Sequence, residues 1–110
     1  DWLFERMAAI VHHGGAGTTA AALRAGTPQV IVPHMQDQPY WANRMHRLGL
    51  APAPLPRSKL TADNFEAAIQ QAVEDPSIRV CAQAIGRTIR AEQGLEKTVE
   101  FIENYWRSRF

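Results

Sequence analysis

Two histidines, three glycines and two threonines crowd into His12-His13-Gly14-Gly15-Ala16-Gly17-Thr18-Thr19, between the apolar run Met7-Ala8-Ala9-Ile10-Val11 and the alanine-rich Ala20-Ala21-Ala22-Leu23-Arg24-Ala25. A strand that enters a helix through glycines makes an anion site. The first helical N–H groups lack internal partners, and together with the aligned peptide dipoles they carry about half a positive charge. Gly15 and Gly17 leave room for a phosphate to reach the backbone. Thr18 and Thr19 can cap the helix or donate to phosphate oxygens, and His13 at the strand's end can add a ring N–H. A tight turn with a capping threonine needs only one glycine and one hydroxyl, so the surplus favours the anion site.

Other chemistries compete for the same residues. Gly15-Ala16-Gly17-Thr18-Thr19-Ala20 satisfies the loose dinucleotide fingerprint G-x-G-x-x-G/A, and Asp37 falls 20 residues beyond Gly17, near where a ribose-binding acid is expected. Against an NAD-type oxidoreductase, that acid should end the second strand, whereas Asp37 lies four residues past Pro33. A phosphate-gripping P-loop is excluded because no lysine follows the last glycine. A metal could draw on His13, His34, His46 and Asp37, but neither His-x-x-x-His nor Cys-x-x-Cys spacing is present, and no metal is expected. Strand alternation points His12 away from His13 and gives it a structural role.

The elements that must position these residues alternate. Ala8 to His12 and Gln29 to Pro33 read as strands buried on both faces, since apolar runs without alternation suit a parallel sheet between helices. Thr18 to Ala25 reads as a helix stopped by Gly26, and Pro39 to Leu48 as a second, with Pro39 in its first turn. Strand, helix, strand, helix implies right-handed crossovers and places the loops after both strands on one rim. Leu50 to Pro56 is too proline-rich for a central strand and is expected as an edge segment or loop. A third helix follows Thr61 as N-cap, with Leu60 placed to staple on Phe65, and runs to Glu74. A fourth spans Ser77 to Gln93 with Ile78, Cys81, Ala82, Ile85 and Ile89 on one face, and a last helix after Gly94 carries Val99, Ile102 and Trp106. Asp1 to Arg6 reads as one helical turn with Asp1 as N-cap.

Composition narrows the partners. The chain has 110 residues, 45% hydrophobic and 21% charged, and its 12 Lys+Arg against 11 Asp+Glu leave a net charge of +1. No basic field exists to hold nucleic acid, so any anion must be bound locally. The single cysteine, Cys81, suits a reducing compartment, and no apolar stretch approaches the roughly 20 residues of a membrane span. A cytoplasmic location is expected.

The glycine turn together with Val32-Pro33-His34-Met35-Gln36-Asp37-Gln38-Pro39-Tyr40-Trp41-Ala42-Asn43-Arg44 resembles the donor-binding half of GT-B glycosyltransferases that use nucleoside-diphosphate sugars. Asp1-Trp2-Leu3-Phe4 and Pro54-Leu55-Pro56-Arg57 through Leu60-Thr61 are similar to the branch of sterol 3-beta-glucosyltransferases and bacterial natural-product enzymes. The resemblance covers nearly the whole chain. It implies an α/β fold with a partial, doubly wound, Rossmann-like parallel sheet, residues 1–110 being the C-terminal part of the donor domain. It further implies that His13, Gly15, Gly17, Thr18 and Thr19 hold the donor diphosphate, with His13 stabilising the leaving group, and that Asp37 and Gln38 take sugar hydroxyls. The implied donor is UDP-glucose, and the implied reaction is inverting transfer, without metal or cofactor, to a lipid, sterol or natural-product hydroxyl. Acceptor site and acceptor-side base belong to a separate N-terminal domain. The pattern departs from plant relatives at Ala21, where they carry a ribose-binding acid, and at His34 and Met35, where an aromatic residue is common. The alternatives are a dinucleotide-binding oxidoreductase fragment and a non-catalytic interaction module. With about three short strands expected, an open sheet edge and the faces bearing Ile85, Ile89 and Trp106 predict self-association of the isolated chain.

Overall fold

The computed structural model describes residues 2–92 and 94–109. Two strands, β1 (Ile10–His12) and β2 (Gln29–Ile31), pair in parallel, Val11 opposite Val30, and α1 (Ala16–Ala25) connects them. The helices α2 (Gln38–Arg47), α3 (Ala62–Glu74), α4 (Pro76–Ala91) and α5 (Gly94–Arg109) follow, with single 3-10 turns at Phe4–Arg6 and Arg57–Lys59. The expected alternation of strand and helix is present, and among the described residues the sheet has two strands rather than about three. Both strands are shorter than their apolar runs. Pairing starts only where Ile10 N–H reaches Pro28 O (2.9 Å), and it ends where Val32 N–H reaches His12 O (2.9 Å).

Alternation along β2 sends its side chains to opposite layers. Ile31 packs with Ala42 and Met45 of α2, Leu50, and Ala82 of α4. Val30 packs on the other side with Ala68 and Ala72 of α3. Burying a side chain of this size contributes about 1.5–3 kcal/mol, so the strand is clamped from both faces despite its length. The proline-rich segment takes the edge role without a regular ladder. Gln29 N–H bonds Leu50 O, and Leu55 N–H and Arg57 N–H bond Ile31 O and Pro33 O at 3.1 and 3.2 Å, which covers the outer side of β2.

Helix ends follow local chemistry. Gly26 closes α1 in the left-handed region at φ 71°. Thr61 and Asn64 form a reciprocal capping box at α3, Thr61 Oγ1 accepting from Asn64 N–H (3.1 Å) and Asn64 Oδ1 from Thr61 N–H (2.8 Å). Asp75 caps α4 through Ser77 N–H. Of the α4 stripe, Ile78 and Ala82 are buried, while Cys81 and Ile85 lean on the same core. Ile85 is therefore not part of an open association face, as the sequence pattern had suggested, because that face of α4 is already used internally. Gly86, which the pattern did not single out, is where α4 meets the end of α1: a Cβ there would lie 2.6 Å from Gly26 Cα. Asp1 as a cap and Gln93 as a helix end lie outside the described residues.

Candidate functional site

Parallel pairing brings the C-terminal ends of β1 and β2 to one rim, and with them the two loops that carry the polar residues. The loops touch. Gly14, at φ 95°, is so close to the start of α2 that a Cβ would stand 3.0 Å from Gln38 O and 3.1 Å from Ile31 Cγ2. Only glycine combines that φ with that approach. The rings of His13 and His34 meet edge to face, centroids 6.0 Å apart.

Gly15 is the N-cap of α1 and offers no side chain to cap it. Thr19 N–H is the first in the helix to find an i−4 carbonyl, Gly15 O at 2.9 Å, which leaves the N–H groups of Ala16, Gly17 and Thr18 without intrahelical acceptors. The first turn holds no acid that would neutralise the dipole. An open, glycine-flanked helix start beside the exposed His13 ring can accept a phosphate on backbone donors alone. Thr18 is half-buried at this turn. Thr19, expected to present its hydroxyl to an anion, does not: it is 1% exposed, and Oγ1 is buried with no hydrogen-bond partner. One residue further along the helix, its side chain has turned inward.

The second loop is braced from within. Gln38 Oε1 accepts from His34 N–H (2.8 Å) and Met35 N–H (3.0 Å), so the amide oxygen is consumed by the loop and the amide nitrogen keeps its two donors. Toward a ligand, Gln38 is thus left with the donors of its amide nitrogen. Asp37 is the N-cap of α2, yet its carboxylate makes no cap bond; Oδ2 accepts instead from Trp41 Nε1 (2.9 Å), one turn on. That bond orients the carboxylate and leaves Oδ1 as an acceptor. His34 donates from Nδ1 to Val32 O (2.7 Å).

Among the described residues no three His, Cys, Asp or Glu side chains are grouped to hold an ion. His46, once a candidate ligand, is in the last turn of α2 and bonds Ala51 O through Nδ1 (3.0 Å). A cleft of about 660 Å³ adjoins the second loop, lined by Pro33, His34, Pro39, Asn43, Pro56 and Arg57. It could not be read from the sequence, since its walls come from two segments some twenty residues apart. Among the described residues no helix is long and apolar enough to cross a membrane.

Residues 1–101 match the family described as Erythromycin biosynthesis protein CIII-like, C-terminal domain. The chain is 44% identical over 109 residues to O-mycaminosyltylonolide 6-deoxyallosyltransferase of Streptomyces fradiae, covering 99% of this chain and 26% of the relative. It is 41% identical over 100 residues to a sterol 3-beta-glucosyltransferase of Arabidopsis thaliana, covering 91% of this chain and 16% of the relative. The crystal structure of the glycosyltransferase VinC in complex with dTDP superposes with a TM-score of 0.74 at 32% identity, over 93% of this chain and 27% of that one. The chain thus spans about a quarter or less of these relatives. They are glycosyltransferases, and the dinucleotide-oxidoreductase alternative falls away with them. This chain belongs to the Erythromycin biosynthesis protein CIII-like C-terminal domains of the GT-B glycosyltransferases.

Proposed function

We propose that the chain is the donor-binding part of a glycosyltransferase that takes a hexose from a nucleoside diphosphate, UDP-glucose in the first instance, and transfers it with inversion to a hydroxyl of a lipid, sterol or natural product. The observation that carries this is the uncapped, acid-free start of α1 beside His13, in contact with the loop of Asp37 and Gln38. Diphosphate leaving the anomeric carbon gains negative charge. Backbone donors around Gly15, those of Ala16, Gly17 and Thr18, with the His13 ring, stabilise charge that grows in the transition state. Asp37 Oδ1 accepts a sugar hydroxyl, and the Gln38 amide nitrogen donates to another. The charge relief that a metal would give comes from His13 and the helix start, so the reaction runs without metal or cofactor.

The VinC complex supports a second donor, a thymidine-diphosphate sugar, because the same fold there holds dTDP. Acceptor and acceptor-side base reside on a separate domain, so the 110-residue chain alone is expected to bind donor and transfer nothing. We place the reaction in the cytoplasm, in keeping with the free thiol of Cys81. Calorimetry with UDP-glucose, dTDP-glucose and NAD tests the reading. Binding of either nucleotide sugar and not of NAD supports it. Binding of NAD alone overturns it, and failure of all three leaves the fold as a scaffold for partners.

A further inference from the structure

Half-buried His12 and fully buried Gln29 pair behind the glycine turn, and neither has a place in the reading above. Gly14 N–H, which can only donate, points at His12 Nδ1 (3.0 Å). Nδ1 must therefore hold a lone pair, the ring proton must be on Nε2, and that N–H must donate to Gln29 Oε1 at 2.6 Å. The chain of bonds allows one tautomer and one orientation of the amide. Gln29 is 0% exposed at the first position of β2, and its Nε2 has no partner, so the amide is committed to holding the imidazole.

We propose that His12 is a positioning residue for donor binding: as the neutral Nε2–H tautomer held by Gln29 it fixes Gly14, and through Gly14 the orientation of the free N–H groups of α1, and protonation on Nδ1 undoes this. The inference rests on the donor-binding reading above and extends it to residues that never touch the donor. Its force comes from the place of Gly14, which links His13 to the N-cap Gly15 at φ 95° and abuts Gln38. A shift there moves both halves of the site. In the protonated ring Nδ1 carries a hydrogen facing the hydrogen of Gly14 N, and the contact turns repulsive.

The surroundings keep the ring neutral. Burial holds its pKa below the ordinary histidine value; the Gln29 bond works against this, and the charge of neighbouring His13 adds to it. Opposite, β2 presents uncharged Gln29, and the first turn of α1, Ala16 to Thr19, carries no charged side chain. His13, next in the chain, is the ionisable neighbour that bears on the ring.

The substitution His12→Asn separates the two bonds. Asparagine Oδ1 occupies the place of Nδ1 and accepts from the N–H two residues on, as in an Asx-turn, but it cannot be protonated. The experiment measures UDP affinity of the intact protein by calorimetry at pH 8 and pH 5.5 for wild type, His12→Ala and His12→Asn. Long-range proton–nitrogen correlation on histidine-labelled wild type reports the tautomer. At pH 8 we expect His12→Ala to weaken UDP binding at least tenfold and His12→Asn to stay within about threefold of wild type. On acidification wild type should lose affinity relative to His12→Asn, a comparison in which the titration of UDP itself and of every group common to both proteins cancels. Should His12→Ala fail to fold, the wild-type against His12→Asn comparison decides alone. The proposal is overturned if His12→Asn binds as poorly as His12→Ala, if wild type and His12→Asn share one pH dependence, or if the proton is found on Nδ1. Wild type that binds no UDP at either pH, with the Nε2–H tautomer intact, overturns the donor reading and this role with it, whereas the wrong tautomer overturns this role alone.

Discussion

His13, the residue after β1, and His34, three residues past β2, meet ring edge to ring face at 6.0 Å, which joins the two loops of the rim through an aromatic contact. His34 is itself anchored by its Nδ1 bond to Val32 O, so His13 leans on a fixed neighbour. A ring held this way needs no reorganisation when charge develops beside it, the condition under which a donor contributes most to catalysis.

Replacing His13 with alanine in the intact enzyme should therefore lower kcat at least tenfold. Loss of one donor aimed at developing charge costs about 2.7–4 kcal/mol in comparable sites. Steady-state kinetics with saturating acceptor checks this, and unchanged kcat and donor KM would remove His13 from the reaction.

Asp37→Asn is expected to reduce affinity for the nucleotide sugar while leaving that for free UDP unaltered, because Oδ2 is held by Trp41 and the proposed role gives Oδ1 to a sugar hydroxyl. Gln38→Ala should act differently. It removes the acceptor for His34 N–H and Met35 N–H, two bonds worth about 0.5–1.5 kcal/mol each, so the loop loosens and UDP and UDP-sugar binding fall together. Paired calorimetric titrations distinguish the two patterns, and equal losses for Asp37→Asn would return that residue to a structural role.

The glycine turn could be read from sequence because its chemistry is local: a strand end, three glycines and a helix start lie within eight residues. The rim could be read because parallel order follows from alternation of elements. Inward rotation of Thr19 could not, since two adjacent threonines differ only in which helical face meets the core. Nor could the bonds of Gln38 and Gln29, whose partners His34 and His12 are set by how loop and sheet close in space. Gly86 was hidden for the same reason. Its need to be small comes from Gly26, sixty residues away in the chain.

That contact gives a stability test. Gly86→Ala places a methyl 2.6 Å from Gly26 Cα and 2.8 Å from Gly26 N, backbone atoms that cannot step aside as a flexible side chain would. Helix propensity favours alanine by up to about 1 kcal/mol, but overpacking costs about 1–3 kcal/mol, and clash with backbone belongs at the upper end. We expect net destabilisation of about 1–2 kcal/mol, read as a lower urea midpoint, and a midpoint at or above wild type would contradict the close packing of α1 on α4.

Stability should also fall on the acid side of neutrality through His12. Its folded pKa lies below the unfolded value of 6.5, so below that pH the unfolded chain binds the proton more readily. The contribution is fully present above pH 6.5 and is lost as pH falls through the lowered folded value. Urea midpoints from pH 7.5 to pH 5 should decline more steeply for wild type than for His12→Asn, and parallel slopes would show that the ring titrates unhindered.

β1 opens the sheet. Its ladder bonds run to β2, and among the described residues no strand pairs with its other edge. Alternation in a parallel ladder turns the N–H and C=O of Val11 to that open edge, and the Val11 side chain is 46% exposed although its run is as apolar as a buried strand. Trp106 adds a second apolar surface, 62% exposed on α5, a helix with no buried residue. Unpaired strand edges recruit other chains, so the isolated chain is expected to sediment as a dimer or larger assembly at high concentration. Val11→Lys should shift it toward monomer by placing a charge on the edge, whereas Trp106→Ala tests the helix face separately. A wild-type chain that stays monomeric at the highest attainable concentration would show that neither surface is sufficient to hold a second copy.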